Sequence, residues 1–185
     1  MKTIHILITF LLLTLSLNAR EIGDVNLKET MGYEGGTLQL LGGGVREKFF
    51  LDLYVAGLYT VVPEHDAAKL TAADAPMAIS LQIVSSLISS EKMQKATREG
   101  FKKSTGGNTA PVAGEIESFM ATFDAPIVEN DVYTFVYRPG FGVDILKNGR
   151  FEKRIAGLAF KRALFGIWLG EEPAQESLKA GMVGQ

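Results

Sequence analysis

Alternating apolar and polar positions predict β-strands in the middle and second half of the chain. Residues 78–84 place isoleucine and leucine on one face and serine and glutamine on the other, as in a strand with one solvent-facing side. Residues 131–138 alternate aromatic with aliphatic or hydroxyl side chains, a composition that favours strands. Residues 140–146 and 150–155 follow, and Asn148-Gly149 between them indicates a two-residue hairpin turn, because both residue types tolerate positive φ.

Two more strands are predicted earlier, in residues 37–41 and 49–58. The second run has one wholly apolar face and one mixed face, which indicates a strand covered on both sides. Gly42-Gly43-Gly44 separates the two runs. Because glycine adopts positive φ without a steric penalty, we interpret this triplet as the sharp turn between the strands.

Helical periodicity predicts a layer of helices that covers the sheet. Serine caps, proline starts and glycine stops bound segments whose apolar residues recur every three or four positions. The predicted helices are residues 67–70, 91–103, 111–125, 158–169 and 174–182. Strands are followed by two helices, more strands and then more helices. This order predicts an α+β fold, in which a large antiparallel sheet carries helices on one face.

The first residues of the chain predict export. Lys2 is followed by an apolar stretch from residue 4 to residue 17 and by the small residue Ala19, which is typical of a secretory signal peptide. The stretch is shorter than the roughly 18–20 residues that a membrane-spanning helix requires, and a retained membrane anchor is the alternative. We therefore expect a signal peptide in residues 1–19, one domain in residues 20–185 and a periplasmic location.

Composition removes several classes of function. The chain has no cysteine, so disulfides and thiolate metal or redox chemistry are excluded. Without residues 1–19 it carries 18 basic and 21 acidic residues, a net charge of −3, which argues against nucleic acid or a membrane surface as a partner after cleavage. His65 lies in a polar connector, so we expect an exposed ring and neither a histidine-based metal site nor a catalytic triad. We predict no cofactor, and the oligomeric state stays open.

Arg46 is the strongest candidate for a binding residue. It stands at the head of a largely apolar run that includes Tyr54, and its planar guanidinium suits a carboxylate or a polarised oxygen. Residue spacing alone favours an alternative, an exposed ion pair with Glu34 or with a neighbour of Glu47. By the same reasoning Trp168 is more typical of a helix core than of a pocket wall.

Three segments, in this order and spacing, resemble the bacterial branch of the chalcone isomerase-like superfamily. They are LGGGVREKFFLDLYVAGLYT (residues 41–60), SFMATFDAPIVENDVYTFVYRPGFGVDILKNGR (residues 118–150) and AFKRALFGIWLGEEPAQESLK (residues 159–179). The resemblance covers nearly the whole chain after the signal segment. It implies an open-faced β-sandwich, in which a large antiparallel sheet carries a layer of helices with a cleft between them. Relatives include plant chalcone isomerases and fatty-acid-binding members that lack isomerase activity.

The resemblance also implies roles for individual positions. The family's arginine at the head of the strand falls on Arg46, which this chain retains. The threonine that helps orient the substrate ketone corresponds to Tyr54, and the hydroxyl residue on the late helix corresponds to about Ile167. The family's tyrosine and asparagine pair should fall in residues 89–98, where neither type occurs. An isomerase needs such donors around its enolate-like oxygen, so their loss argues against catalysis.

The sequence therefore predicts a non-catalytic protein that binds a small apolar carboxylate, such as a fatty acid, in the cleft between sheet and helices. The predicted ligand-binding residues are Arg46, Tyr54, Ile167 and Trp168. One alternative is an isomerase or intramolecular lyase acting on an unknown enone, with Tyr54 replacing the lost hydroxyls. The other is an interaction protein whose cleft is filled by its own side chains, which would be Phe50, Tyr54, Phe165, Ile167 and Trp168.

Overall fold

The computed structural model describes residues 19–185, which contain nine strands and five α-helices. The strands are β1 (Ala19–Ile22), β2 (Val25–Lys28), β3 (Thr30–Tyr33), β4 (Gly36–Lys48), β5 (Leu51–Thr60), β6 (Met77–Ile83), β7 (Val132–Arg138), β8 (Gly142–Lys147) and β9 (Arg150–Ile155). The helices are α1 (Ala67–Ala72), α2 (Ser90–Ser104), α3 (Ala113–Met120), α4 (Leu158–Leu169) and α5 (Glu176–Met182). Apart from Ala19, the predicted signal peptide lies outside the described residues.

Strands β3 to β9 form one curled antiparallel sheet of seven strands, in which every strand pairs with its neighbour in the chain. The helices pack on one side of this sheet. The predicted α+β fold, with a large antiparallel sheet and helices on one face, is confirmed. Strands β1 and β2 form a separate hairpin that covers part of the opposite face. No helix in residues 19–185 combines the length and the apolarity needed to cross a membrane.

The two faces of the sheet support two hydrophobic clusters. Under the helices, aromatic rings dominate: Phe119 packs against Phe101, Phe135 and Phe160 at centroid distances of 5.8, 5.3 and 5.9 Å. On the other face, a smaller cluster lies beneath the β1–β2 hairpin and consists of Val25, Leu27, Leu38, Leu40, Val55, Tyr59, Ala78 and Val136. Side chains alternate between the two faces along each strand, so the sheet contributes to both clusters. This agrees with the prediction that the strand in residues 49–58 is covered on both sides.

Gly42-Gly43-Gly44 lies inside β4, so the turn predicted at this triplet is wrong. A Cβ at Gly42 would lie 2.3 Å from the carbonyl oxygen of Gly181 in α5, and a Cβ at Gly43 would lie 2.7 Å from Ile22 Cδ1 on the opposite face. Glycine is required here because a helix and a hairpin approach the two faces of the strand. The turn is formed by Phe49-Phe50 instead, and the next strand begins at Leu51.

The hairpin turn predicted at Asn148-Gly149 is confirmed. It joins β8 to β9, and its two residues have φ values of 52° and 76°. The predicted helix at residues 91–103 is also present as α2, which begins one residue earlier. The Ser89 side chain caps it by accepting a hydrogen bond from the backbone N–H of Lys92.

Helix α4 is the central helix of the layer, and it contains a fully buried lysine. The Nζ of Lys161 donates hydrogen bonds to the carbonyl oxygens of Leu70 (2.7 Å), Thr71 (2.9 Å) and Ala73 (2.9 Å) at the C-terminal end of α1. Carbonyls in the last turn of a helix lack partners within that helix, so Lys161 satisfies them and ties α4 to α1. Burial, and to a smaller extent the charge of Arg162, together lower the pKa of Lys161 to about 8.

Candidate ligand-binding site

Arg46 lies near the end of β4, on the face of the sheet that carries the helices. It is the direct cross-strand partner of Tyr54 in β5, so the two side chains are neighbours on that face. Gly42 and Gly44 precede it at alternate positions, and α5 occupies the space beside them. Arg46 is therefore half-buried beside the start of α5.

Gln175, immediately before α5, is the principal partner of Arg46. Its Oε1 accepts hydrogen bonds from Arg46 Nη1 and from the backbone N–H of Glu47, both at 2.9 Å. Arg46 Nη1 also donates to the carbonyl oxygen of Glu47. The amide nitrogen of Gln175 donates to Ser177 Oγ at 2.6 Å, which fixes the orientation of the amide. Two N–H donors, one of them charged, thus converge on one uncharged oxygen.

Tyr54 and Trp168 form a buried surface behind Arg46. Trp168 Nε1 donates a hydrogen bond to the Tyr54 hydroxyl oxygen at 3.0 Å, and the indole stacks on Phe135 with ring centroids 6.0 Å apart. Burial raises the pKa of Tyr54, and Trp168 and Arg46 only partly oppose this effect. The phenol therefore keeps its proton at neutral pH. Both polar neighbours of this hydroxyl, Trp168 and Arg46, are donors to its oxygen, so its O–H proton is directed at neither of them.

Ile167 lies apart from the other three predicted ligand-binding residues. It packs against α2, where a Cβ added at Gly100 would lie 2.7 Å from Ile167 Cγ2. Consecutive residues of a helix point about 100° apart, so Ile167 faces α2 whereas Trp168 faces the sheet. The structure brings Arg46, Tyr54 and Trp168 together and places Ile167 on another side of α4.

The space between sheet and helices behind Arg46 is filled with side chains. Of the side chains predicted to fill it, Tyr54, Phe165, Ile167 and Trp168 are buried; Tyr54 and Trp168 lie behind Arg46, whereas Ile167 packs against α2. Phe50, by contrast, is fully exposed, so the prediction that it helps to fill the cleft is wrong. The physical reason is the turn: Phe50 stands at the tip of the β4–β5 hairpin, beyond the last paired residues of the two strands.

A surface depression of about 570 Å³ lies at the outer side of Gln175. It is lined by Glu47, Lys48, Phe49, Phe50 and Gln175. The depression is shallow and solvent-exposed, and the Gln175 side chain separates it from the guanidinium of Arg46. Gln175 therefore covers one side of the Arg46 side chain.

Other polar residues named from the sequence have structural partners. Glu34 pairs with Arg138 at 2.6 Å, so the alternative in which Glu34 pairs with Arg46 is wrong. His65 is exposed, and its Nδ1 is hydrogen-bonded to the carbonyl oxygen of Val183 at 2.5 Å. In the part of the chain that the structure describes, no three side chains of histidine, aspartate or glutamate form a group able to hold a metal ion.

Sequence reasoning missed Gln175, the residue that completes the site. It follows Glu171-Glu172-Pro173-Ala174, a polar segment with no periodicity, and it is separated from Arg46 by 129 positions in the chain. No local pattern signals this contact. The nearest available signal is the glycine triplet, since a strand without side chains on two alternate positions indicates that a backbone element packs there.

The site can bind a negatively charged or strongly polarised oxygen. Arg46 supplies a permanent positive charge, the Glu47 backbone supplies a second N–H, and Tyr54 supplies a hydroxyl proton. Charge-assisted hydrogen bonds are about twice as strong as neutral ones, so an anionic oxygen would interact with these donors more strongly than the amide oxygen that occupies the position now.

Comparisons with known proteins agree on the fold. A family described as chalcone isomerase-like matches residues 19–184. A solved structure, the fatty-acid binding protein AtFAP1 of Arabidopsis thaliana, superimposes with a TM-score of 0.68 at 21% sequence identity, covering 86% of this chain and 92% of that one. At this level of identity the likeness shows a shared fold. No curated protein matches the sequence significantly.

Proposed function

The chain belongs to the chalcone isomerase-like family, and from that premise we propose that it is an exported, non-catalytic binding protein for a small apolar carboxylate such as a fatty acid. The fold it shares with a fatty-acid binding protein supports this class of ligand. The predicted signal peptide supports export to the periplasm.

One observation carries the proposal: Arg46 Nη1 and the Glu47 N–H converge on Gln175 Oε1 at 2.9 Å each. A ligand carboxylate that displaced the amide oxygen would accept both hydrogen bonds and gain the charge of the guanidinium. Its second oxygen would find the free O–H of Tyr54 on the same face. The donors thus match a carboxylate better than the neutral amide oxygen of Gln175 that they contact here.

The apolar part of the ligand would lie against the aromatic surface behind Arg46. Tyr54 and Trp168 provide this surface, and the helix layer continues from it to Ile167. Because the space is filled with side chains here, the ligand enters only when Gln175 and the segment that leads into α5 move away. Gln175 thus acts as the residue that closes the site.

Replacing Arg46 with alanine should lower the affinity for a long-chain fatty acid roughly ten- to hundredfold, the loss expected for a hydrogen bond to a charged group. Titration with a fluorescent fatty acid measures the affinity, and native mass spectrometry identifies any ligand that copurifies. Arg150→Ala is the matched control, because Arg150 is exposed and pairs with Glu152, two residues further along the same strand. A wild-type chain that binds no fatty acid, or an Arg46→Ala variant with unchanged affinity, would contradict the proposal.

Replacing Gln175 with glutamate should block the site from within. The new carboxylate would pair with Arg46, lower fatty-acid affinity roughly tenfold or more and raise the thermal midpoint of unfolding. Gln175→Ala should have the opposite effect on affinity, because no side-chain oxygen then competes with the ligand. Gln39→Glu, at an exposed position of β4, the strand that carries Arg46, serves as the control. Equal affinities for the two Gln175 variants would show that Gln175 does not occupy the ligand position.

A further inference from the structure

The tip of the β4–β5 hairpin has a sequence that does not suit its conformation. Lys48 pairs with Leu51, so Phe49 and Phe50 form a two-residue turn, and both have positive φ, at 51° and 65°. Turns of this kind favour Asn-Gly because a bulky side chain at positive φ is sterically strained. A strained pair of residues at a position where the chain could readily carry better ones points to a function at the tip.

Both phenylalanine side chains project into solvent. Phe49 is 82% exposed, Phe50 is fully exposed and Leu51 is 49% exposed. The ammonium group of Lys48 lies 5.6 Å from the centroid of the Phe49 ring, so a cation accompanies the apolar tip. Two adjacent exposed aromatic rings at a protruding turn form a compact apolar surface, whereas single exposed apolar residues are ordinary.

The size and shape of this surface favour a lipid bilayer over another protein. A stable protein interface buries about 800 Å² on each partner. Two aromatic side chains bury about 150–250 Å² each, so the tip provides roughly half of that area. Insertion into a bilayer needs no complementary surface, and a neighbouring lysine can extend its ammonium group to the phosphates. We propose that the Phe49-Phe50 tip docks this protein on a phospholipid bilayer surface.

The docking site adjoins the ligand site but does not depend on it. Phe49 and Phe50 line the same depression as Gln175, so a docked tip would place the entrance to Arg46 next to the lipids. Docking at this tip would make a membrane surface a partner, contrary to the expectation drawn from the net charge of −3. Net acidity opposes electrostatic attraction to anionic lipids, whereas insertion of two rings is hydrophobic and therefore insensitive to salt.

Cosedimentation with phosphatidylcholine vesicles tests the proposal. The chain used begins at Ala19, since residues 19–185 contain all the described elements of the fold and omit the apolar segment predicted to be a signal peptide. The variant is Phe49→Asn combined with Phe50→Gly, which supplies the residues that the turn prefers. It should partition onto vesicles roughly tenfold less than the wild type while unfolding at a higher temperature. A fold defect therefore cannot account for the loss.

Two controls separate this proposal from the proposed function. Phe151→Ser removes an exposed ring elsewhere on the sheet and should leave vesicle binding unchanged. Arg46→Ala should keep vesicle binding although it weakens fatty-acid binding. The proposal is overturned if the wild type stays in solution, if the turn variant binds equally well, or if high salt abolishes binding. It is also overturned if gel filtration shows that the tip mediates a dimer that the turn variant loses.

Discussion

Replacing Lys161 with methionine should reduce the free energy of unfolding by about 3–5 kcal/mol, as expected when one partner of a buried, charged hydrogen-bond cluster is removed. Methionine matches the length and apolar stem of lysine, so packing inside α4 is largely kept. What is lost is the donor to three carbonyl oxygens at the end of α1. The Leu70 oxygen would be left buried and the other two partly buried without this donor, and a fully buried unpaired acceptor costs about 1–3 kcal/mol.

Chemical denaturation monitored by circular dichroism measures this effect. Lys69→Met is the matched control, because Lys69 lies on α1 itself with a mostly exposed side chain. The control should change stability by less than about 0.5 kcal/mol. An equally small change for Lys161→Met would show that the three hydrogen bonds contribute little to the fold.

The pH dependence provides a second measurement of the same residue. The pKa of Lys161 is about 8 in the folded chain, whereas a lysine in an unfolded chain has a pKa of about 10.4. Between these values the unfolded chain binds more protons, so the wild-type free energy of unfolding should rise as the pH increases through this window. The Lys161→Met variant should lose this rise.

The role of Lys161 was partly visible in the sequence. The segment LAFKRALFGIWL is apolar on nearly all sides, and a helix with that pattern is buried within the protein. A lysine within it must therefore be buried or reach a polar partner. The sequence could not show which partner, because the acceptors are backbone carbonyls, which every residue possesses.

The turn between β4 and β5 was mispredicted because glycine is common in turns, whereas here it is needed for close packing inside a strand. Glycine is required at residues 42 and 43 by the backbone of α5 and by the β1–β2 hairpin, and the strand continues through the triplet. The two phenylalanines carry no turn signal, since they occupy a conformation that their side chains disfavour. Periodicity located β5 to β9, but it missed β1, β2 and β3 and the second half of β4, and it could not reveal which neighbours crowd the strands.

Strand geometry and the family resemblance predicted part of the candidate site, but not Gln175. Arg46 and Tyr54 share a face because they are paired across adjacent strands. Trp168 joins them through a single hydrogen bond to Tyr54. Ile167 was included because the resemblance aligns it with the family's hydroxyl residue on the late helix, and helix geometry separates it from Trp168. Gln175 requires the position of α5 against β4, which depends on contacts between segments far apart in the chain.

Replacing Gly42 with alanine should detach α5 from the sheet. The added Cβ would lie 2.3 Å from the carbonyl oxygen of Gly181 and 2.9 Å from the backbone nitrogen of Gly184. Both obstacles are backbone atoms, so no rotation of a side chain relieves the overlap. If the helix moves away, the buried side chains Leu178, Met182 and Val183 lose their contacts. We expect a loss of about 3 kcal/mol or more in the free energy of unfolding.

Two further glycine variants allow the losses of stability to be ranked. Gly44→Ala should cost less than Gly42→Ala, because its nearest obstacle is the movable Leu178 Cδ1 at 3.2 Å. Gly32→Ala, in β3, should be almost neutral, because nothing lies within 4 Å of its Cβ position. Hydrogen exchange should increase within α5 in the Gly42→Ala variant before it increases in the central strands. Equal stabilities for all three variants would contradict the packing of α5 on the glycine triplet. That packing also positions Gln175, so the triplet that resembles a turn in the sequence places the hydrogen-bond partner of Arg46.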